Sequence, residues 1–244
     1  LVKEKNLKKP CILHQDDRWC AGRLTRMRTL LDAHADAALY AHAVYFIDAG
    51  GRRVGRWSCP WTGSPALVTS QNALHALLVQ NVMACPAPLF PVALARSIGG
   101  LDTTLWYTAD WDFWLKLAAA GTVIYCGEAL AEFRLHPQSQ TSRRHVDAAE
   151  LLRQMKTAVE RHLPAIADPA ERARVSRLAH FSIHMNTALA SAAAGQWANS
   201  RRYLGQGGWL SPAAWGAYLH DSRLIERIMA RCRARLSSPR PGLG

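Results

Sequence analysis

The chain has 244 residues, 49% of them apolar and 20% charged, with 9 Trp and a formal net charge of +12. That length supports a sizeable buried core, and the apolar content excludes a disordered chain. The most apolar window, residues 74–95, is interrupted by His75, Gln80, Asn81, Pro86, Pro88 and Pro91. It therefore falls short of the roughly 20 clean apolar residues that a membrane-spanning helix requires.

Taken in chain order, Cys11-Ile12-Leu13 is a short apolar run ending in His14-Gln15-Asp16-Asp17, the pattern of a buried strand that delivers polar groups at its carboxyl end. Over residues 22–34, Leu24, Met27, Leu30 and Leu31 recur at helical spacing and predict an amphipathic helix. Residues 38–47 predict a strand, residues 48–51 (Asp-Ala-Gly-Gly) a turn, and residues 52–57 the returning arm of a hairpin. Residues 70–79 predict a helix with Ser70 as its N-cap. Pro91 opens the next helix through Ser97, and Gly99-Gly100 stops it by accepting positive φ. Asp110 is placed as the cap of a helix through Ala120, followed by strands at 122–126 and 129–134. Such alternation predicts an α/β layered fold.

The texture changes after Pro137. Residues 146–162, 171–194 and 220–236 read as helices, and 188–204 as a helical hairpin about Gly195. The expected organisation is an α/β domain over residues 1–142 and an all-helical region over 143–244. The six cysteines show no Cys-x-x-Cys spacing, so they are expected as reduced thiols that fill core space.

Residues 222–244 hold six arginines against one glutamate, a local charge of +5. An anionic membrane surface, nucleic acid, or plain solvation of a basic helix would each suit that segment. Its arginines are not interleaved with stacking aromatics, so nucleic acid is not an expected partner.

Three polar clusters carry candidate chemistry. Asp16-Asp17 offers hard oxygen ligands for Mg²⁺ or Mn²⁺, and is equally the composition of a loop and helix cap. Asp110, after the aromatic pair Trp106-Tyr107, suits either a general base beside a sugar-stacking wall or a helix cap above a core stripe that includes Trp111. Arg134 and His136, at alternate positions of a strand end, share a face that could meet a diphosphate, or serve as an ordinary surface pair.

Their order decides among these readings. His14-Gln15-Asp16-Asp17, then Phe46-Ile47-Asp48-Ala49-Gly50-Gly51, then Ile98-Gly99-Gly100-Leu101-Asp102, then Ala109-Asp110-Trp111-Asp112-Phe113-Trp114, then Phe133-Arg134-Leu135-His136 resembles the family 2 glycosyltransferases over about residues 8–142. The resemblance implies a partial GT-A mixed sheet with flanking helices, ahead of the all-helical C-terminal region. It implies an inverting, metal-dependent transfer of a sugar from a nucleotide-sugar donor to a hydroxyl of a glycan, polysaccharide or lipid-linked acceptor of the cell envelope.

In that resemblance Asp16 and Asp17 hold a divalent cation, Mg²⁺ or Mn²⁺, on the donor diphosphate, with His14 at the first position of the motif. Asp110 is the catalytic base, preceded by Ala109 where the family has Glu. Arg134 and His136 contact the donor phosphates, and Gly99, Gly100, Trp106 and Trp111 lie on the acceptor side. The expected location is cytoplasmic, with peripheral contact of the basic C-terminus at the inner membrane face. Nothing upstream of Cys11 resembles the family's opening βα units, so the chain is read as lacking about two of them. The competing expectation is a non-catalytic remnant or scaffold whose basic helical tail docks to a membrane or a partner.

Overall fold

A computed structural model describes residues 9–135 and 147–237. Its five strands are β1 (Arg18–Trp19), β2 (Leu39–Ile47), β3 (Arg53–Trp57), β4 (Ala66–Val68) and β5 (Val123–Arg134). They form one mixed sheet in the order β1-β5-β2-β3, with β4 also paired to β5. β2 and β5 run parallel at its centre, and the other pairs are antiparallel. β2 is buried along nearly its whole length, which explains its continuous apolar sequence: both faces are covered.

Side chains leave β2 alternately on the two faces. Leu39, Ala41 and Ala43 join the main core, whereas Tyr40 packs with Met27 and Leu30 of α1 (Arg23–Ala33). Helices α2 (Ser70–Val79), α3 (Val92–Ser97) and α4 (Ala109–Ala120) follow in the α/β part. α2 and α4 lie on the main-core face, where Leu74, Leu77, Trp111, Trp114 and Leu117 meet.

The C-terminal part is helical: α5 (Ala148–His162), α6 (Pro169–Ala193), α7 (Trp197–Gln206), α8 (Pro212–Ser222) and α9 (Leu224–Ser237). Leu151, Met155, Val159, Val175, Ala179 and Ile183 sit in the same apolar cluster as α2 and α4. The helices are thus continuous with the sheet's core. α9 returns to β3, where Ala230 and Ala234 pack with Phe46 and Val54. Gly55 permits that approach, because a Cβ there would stand 3.0 Å from the Ala230 Cβ. Among the described residues, no helix is long and apolar enough to cross a membrane.

Several expectations change in detail. Residues 11–13 form no strand; Cys11 makes only an isolated bridge to Leu89, and the paired residues are Arg18 and Trp19. Residues 123–134 are one strand, because register shifts about Ala43 absorb Gly127 and Glu128 without ending the ladder. β4 lies between the hairpin arm and the helix at 70–79, where no element was expected. Thr69 rather than Ser70 caps α2, its side chain accepting from the Asn72 N–H. Thr108 occupies the N-cap position of α4, and Asp110 lies within its first turn. The last helix breaks at Arg223, which adopts φ 51°. His136 and the expected domain boundary near residue 142 lie outside the described residues.

Candidate active site

Two segments distant in sequence carry the principal acids. The first is a turn in which the Asp17 N–H donates to the His14 carbonyl at 3.1 Å. It is anchored by β1 on β5 through the pairs Arg18–Glu132 and Trp19–Ala131. Asp17 is buried, and its Oδ1 accepts from the Arg134 backbone N–H at 3.0 Å. Its Oδ2 is buried without a hydrogen-bond partner. Burial pushes the Asp17 carboxyl above its ordinary range, opposed by the Arg134 N–H and by His14.

The second acid comes from the amino end of α4. Trp111 fixes that helix by donating from its indole N–H to the Leu77 carbonyl of α2 at 2.6 Å. Asp110 is thereby set over the end of α2, where Asn81 Nδ2 lies 3.5 Å from its Oδ2. Its Oδ1 accepts from the Trp111 N–H at 2.7 Å. Asp110 keeps part of its surface accessible, while the surrounding protein pushes its carboxyl upward against the Trp111 N–H and His14. Asp110 is thus both reachable by solvent and partly desolvated.

His14 joins the two acids. Its imidazole acts electrostatically on both Asp17 and Asp110, and its Nε2 lies 3.5 Å from the Cys85 Sγ. The buried Cys85 thiol is pushed up by desolvation and, in turn, by Asp110 and Asp17. His14, Asp17, Cys85 and Asp110 therefore share one electrostatic neighbourhood, although 93 positions separate Asp17 from Asp110.

The remaining candidates fall into different places. The Arg134 Nε donates to the Asp16 carbonyl at 3.0 Å, and its Nη1 to the carbonyls of Asp48 and Ala49, each at 2.9 Å. Those donors clasp the two loops to the end of β5. Trp111 is 3% exposed within the core, so it cannot present a face to an acceptor. Trp106 is 39% exposed, in an edge contact with Tyr107 at 5.7 Å. Gly99 and Gly100 adopt φ of 84° and 63°, and the Lys116 ammonium holds the Gly100 carbonyl at 3.1 Å.

The cation expected at Asp16 and Asp17 is tested by the donor set. Among the described residues, no group of three His, Cys, Asp or Glu side chains could hold a metal by itself. The unpartnered, buried Oδ2 of Asp17 fits the open kind of site, in which one or two carboxylates are supplemented by water and substrate phosphates.

The sequence has no match among protein-family models or curated proteins. Among solved structures, residues 1–349 of S. aureus TarS, a glycosyltransferase in complex with UDP-GlcNAc, are similar. The TM-score is 0.51 at 12% identity, over 84% of this chain and 69% of that one. The fold is GT-A-like. In this GT-A-like frame the site contains two groups that sequence reading gave no role, Asn81 and Cys85, beside Tyr107 of the expected aromatic wall. Asn81 and Cys85 come from the loop after α2, whose composition resembles ordinary core packing. Tyr107 was legible only as one half of an aromatic pair.

Proposed function

We propose that the chain is an inverting glycosyltransferase that takes a nucleotide-sugar donor and a hydroxyl acceptor. The observation that carries this reading is the shared neighbourhood of Asp17 and Asp110 about His14 in a GT-A-like fold. The UDP-GlcNAc bound by TarS supports a nucleotide-sugar as the class of donor.

In this reading Asp110 is the general base. A carboxyl raised above its ordinary range accepts a proton better than one at its ordinary value. Asn81 and the Trp111 N–H orient it, and it takes the proton of the acceptor hydroxyl as that oxygen attacks the anomeric carbon. The sugar–phosphate bond breaks on the opposite side, so configuration at that carbon inverts. Asp17, whose Oδ2 is buried without a hydrogen-bond partner, would be the residue to hold a divalent cation on the donor diphosphate. When bound, that cation supplies the positive charge that stabilises the departing nucleoside diphosphate. The burial of Asp17 and the partial burial of Asp110 strengthen both electrostatic effects by excluding bulk water.

The test is Asp110→Asn, assayed for release of nucleoside diphosphate from a panel of nucleotide-sugars with Mn²⁺ present. The amide keeps the side chain's shape but cannot take a proton. Turnover should fall by about 10²–10⁴-fold, while the nucleotide's affinity, read by calorimetry, changes less than about twofold. A variant that retains near-full turnover refutes the assignment.

A further inference from the structure

The basic terminal helix does more than cover the sheet. Arg223 is paired with Glu226, the helix's one acid, at 2.5 Å, and Arg233 donates to the Val54 carbonyl at 3.3 Å. Arg227 and Arg231, one turn apart, are differently placed. The Arg227 Nη2 donates to Asn186 Oδ1 at 2.8 Å, and its Nη1 to the Ser222 carbonyl at 3.3 Å. The Asn186 Nδ2 in turn donates to Gln80 Oε1 at 2.8 Å. Gln80 immediately precedes Asn81, which faces Asp110. A short polar relay therefore ties Arg227 to the floor of the candidate site.

Arg231 lies beyond it, its Nη1 donating to the Arg227 carbonyl at 3.1 Å. Among the described residues neither guanidinium has an acid partner within ion-pairing distance. Both act on the Tyr107 phenol, as does Asp110. Desolvation and the neighbouring Arg231 bring Arg227 down to about 10. Two like charges set side by side, Arg227 partly buried and Arg231 exposed, repel each other until an anion joins them.

We propose that Arg227 and Arg231 form a cationic wall beside Tyr107 that binds a phosphate group of the ligand. The argument rests on the transferase reading for the identity of that ligand: either the donor's diphosphate or a phosphate carried by the acceptor. The geometry of the pair stands apart from that reading. Two adjacent guanidiniums provide several donors suited to phosphate oxygens, which is the strong, charge-assisted form of hydrogen bond.

The test uses the full chain with three probes, UDP, inorganic pyrophosphate and glycerol 3-phosphate, titrated by calorimetry. The variants are Arg231→Gln, Arg227→Gln with Arg231→Gln, and Arg235→Gln as a control on the same helix. Circular dichroism and thermal melting establish that each is folded. Because Arg227 also supports α9, the single Arg231→Gln variant keeps the test valid should the double variant melt early.

Loss of one charged hydrogen-bonding group is expected to weaken the recognised probe by about tenfold or more, with Arg235→Gln unchanged. A loss seen with UDP and pyrophosphate assigns the wall to the donor. A loss confined to glycerol 3-phosphate assigns it to the acceptor. Equal affinities in wild type and Arg231→Gln, or no binding of any probe by wild type, overturn the proposal. If the arginine variants bind all three probes as wild type does while Asp110→Asn abolishes turnover, the wall fails and the transferase reading survives. If the arginine variants lose phosphate binding but no nucleotide-sugar is ever turned over, the wall stands alone.

Discussion

Replacing Asp112 with alanine removes the center of a buried ionic knot between α4 and α5. The side chain is fully buried. Its Oδ1 accepts from Arg161 Nη1 and meets His162 Nε2, both at 2.9 Å, and its Oδ2 lies 2.8 Å from Lys116 Nζ. Breaking a buried pair by deleting one partner costs about 3–5 kcal/mol. Here Arg161 retains Asp102 at 3.0 Å and Lys116 retains the Gly100 carbonyl at 3.1 Å, so the lower end, about 3 kcal/mol, is expected. For a chain of this length each kcal/mol moves Tm by about 2–4 °C, which gives a fall of about 6–12 °C.

Urea and thermal unfolding measure it, with Asp102→Ala as the milder comparison. Burial pushes the Asp112 carboxyl up, but the His162 and Lys116 hydrogen bonds outweigh it and hold the group below the usual carboxylate range. Its stabilisation is therefore complete above about pH 4, the unfolded value. It is lost as pH falls through the lower folded value. A loss under about 1 kcal/mol at pH 7 would refute the claim that this knot holds the helical region to the sheet's core.

Two further outcomes test the packing. Gly55→Val should push α9 off β3, because even a Cβ meets Ala230 at 3.0 Å; overpacking of this kind costs about 1–3 kcal/mol, measured by urea unfolding. His42 is buried, its Nε2 accepting from Arg23 Nε at 3.0 Å. Burial, with Arg23 adding to it against the Ala43 carbonyl, lowers its pKa to about 3. The unfolded state takes up the proton first, so stability should decline as pH falls below about 6.5 and continue to decline toward 3. In His42→Gln, whose amide oxygen can still accept from Arg23, this part of the pH profile should flatten; an unchanged slope would discount His42.

Much of the α/β part was legible because local patterns and tertiary demands agree. Alternation and a buried apolar run identify β2, glycines end α3 and α4, and helical spacing identifies α1. The failures have physical causes. Gly127 and Glu128 interrupt the apolar pattern of β5, yet irregular pairing with β2 carries the strand across them. Arg223 breaks the terminal helix in a left-handed conformation more typical of glycine or asparagine, so no residue type announced the break.

In the site, Asp17 and Asp110 were legible as acids in order. The carbonyls held by Arg134 and the burial of Trp111 depended on partners far along the chain. The orientation of Arg227 and Arg231 was the least legible of all. Their four-residue spacing marks one helix face, but only the packing of α6, through Asn186, fixes what that face meets.

The docking of α9 also bears on how the protein is made. Arg233 reaches a carbonyl of β3 179 positions earlier in the chain. At about 5–20 residues per second, a ribosome needs roughly 10–40 s to synthesise that interval. For that time the hairpin end of the sheet stands without its cover, its apolar patch at Phe46 and Val54 open to other nascent chains. Premature termination before α9 would leave this exposure permanent, so truncated products should be captured by chaperones or aggregate even though every strand has been synthesised.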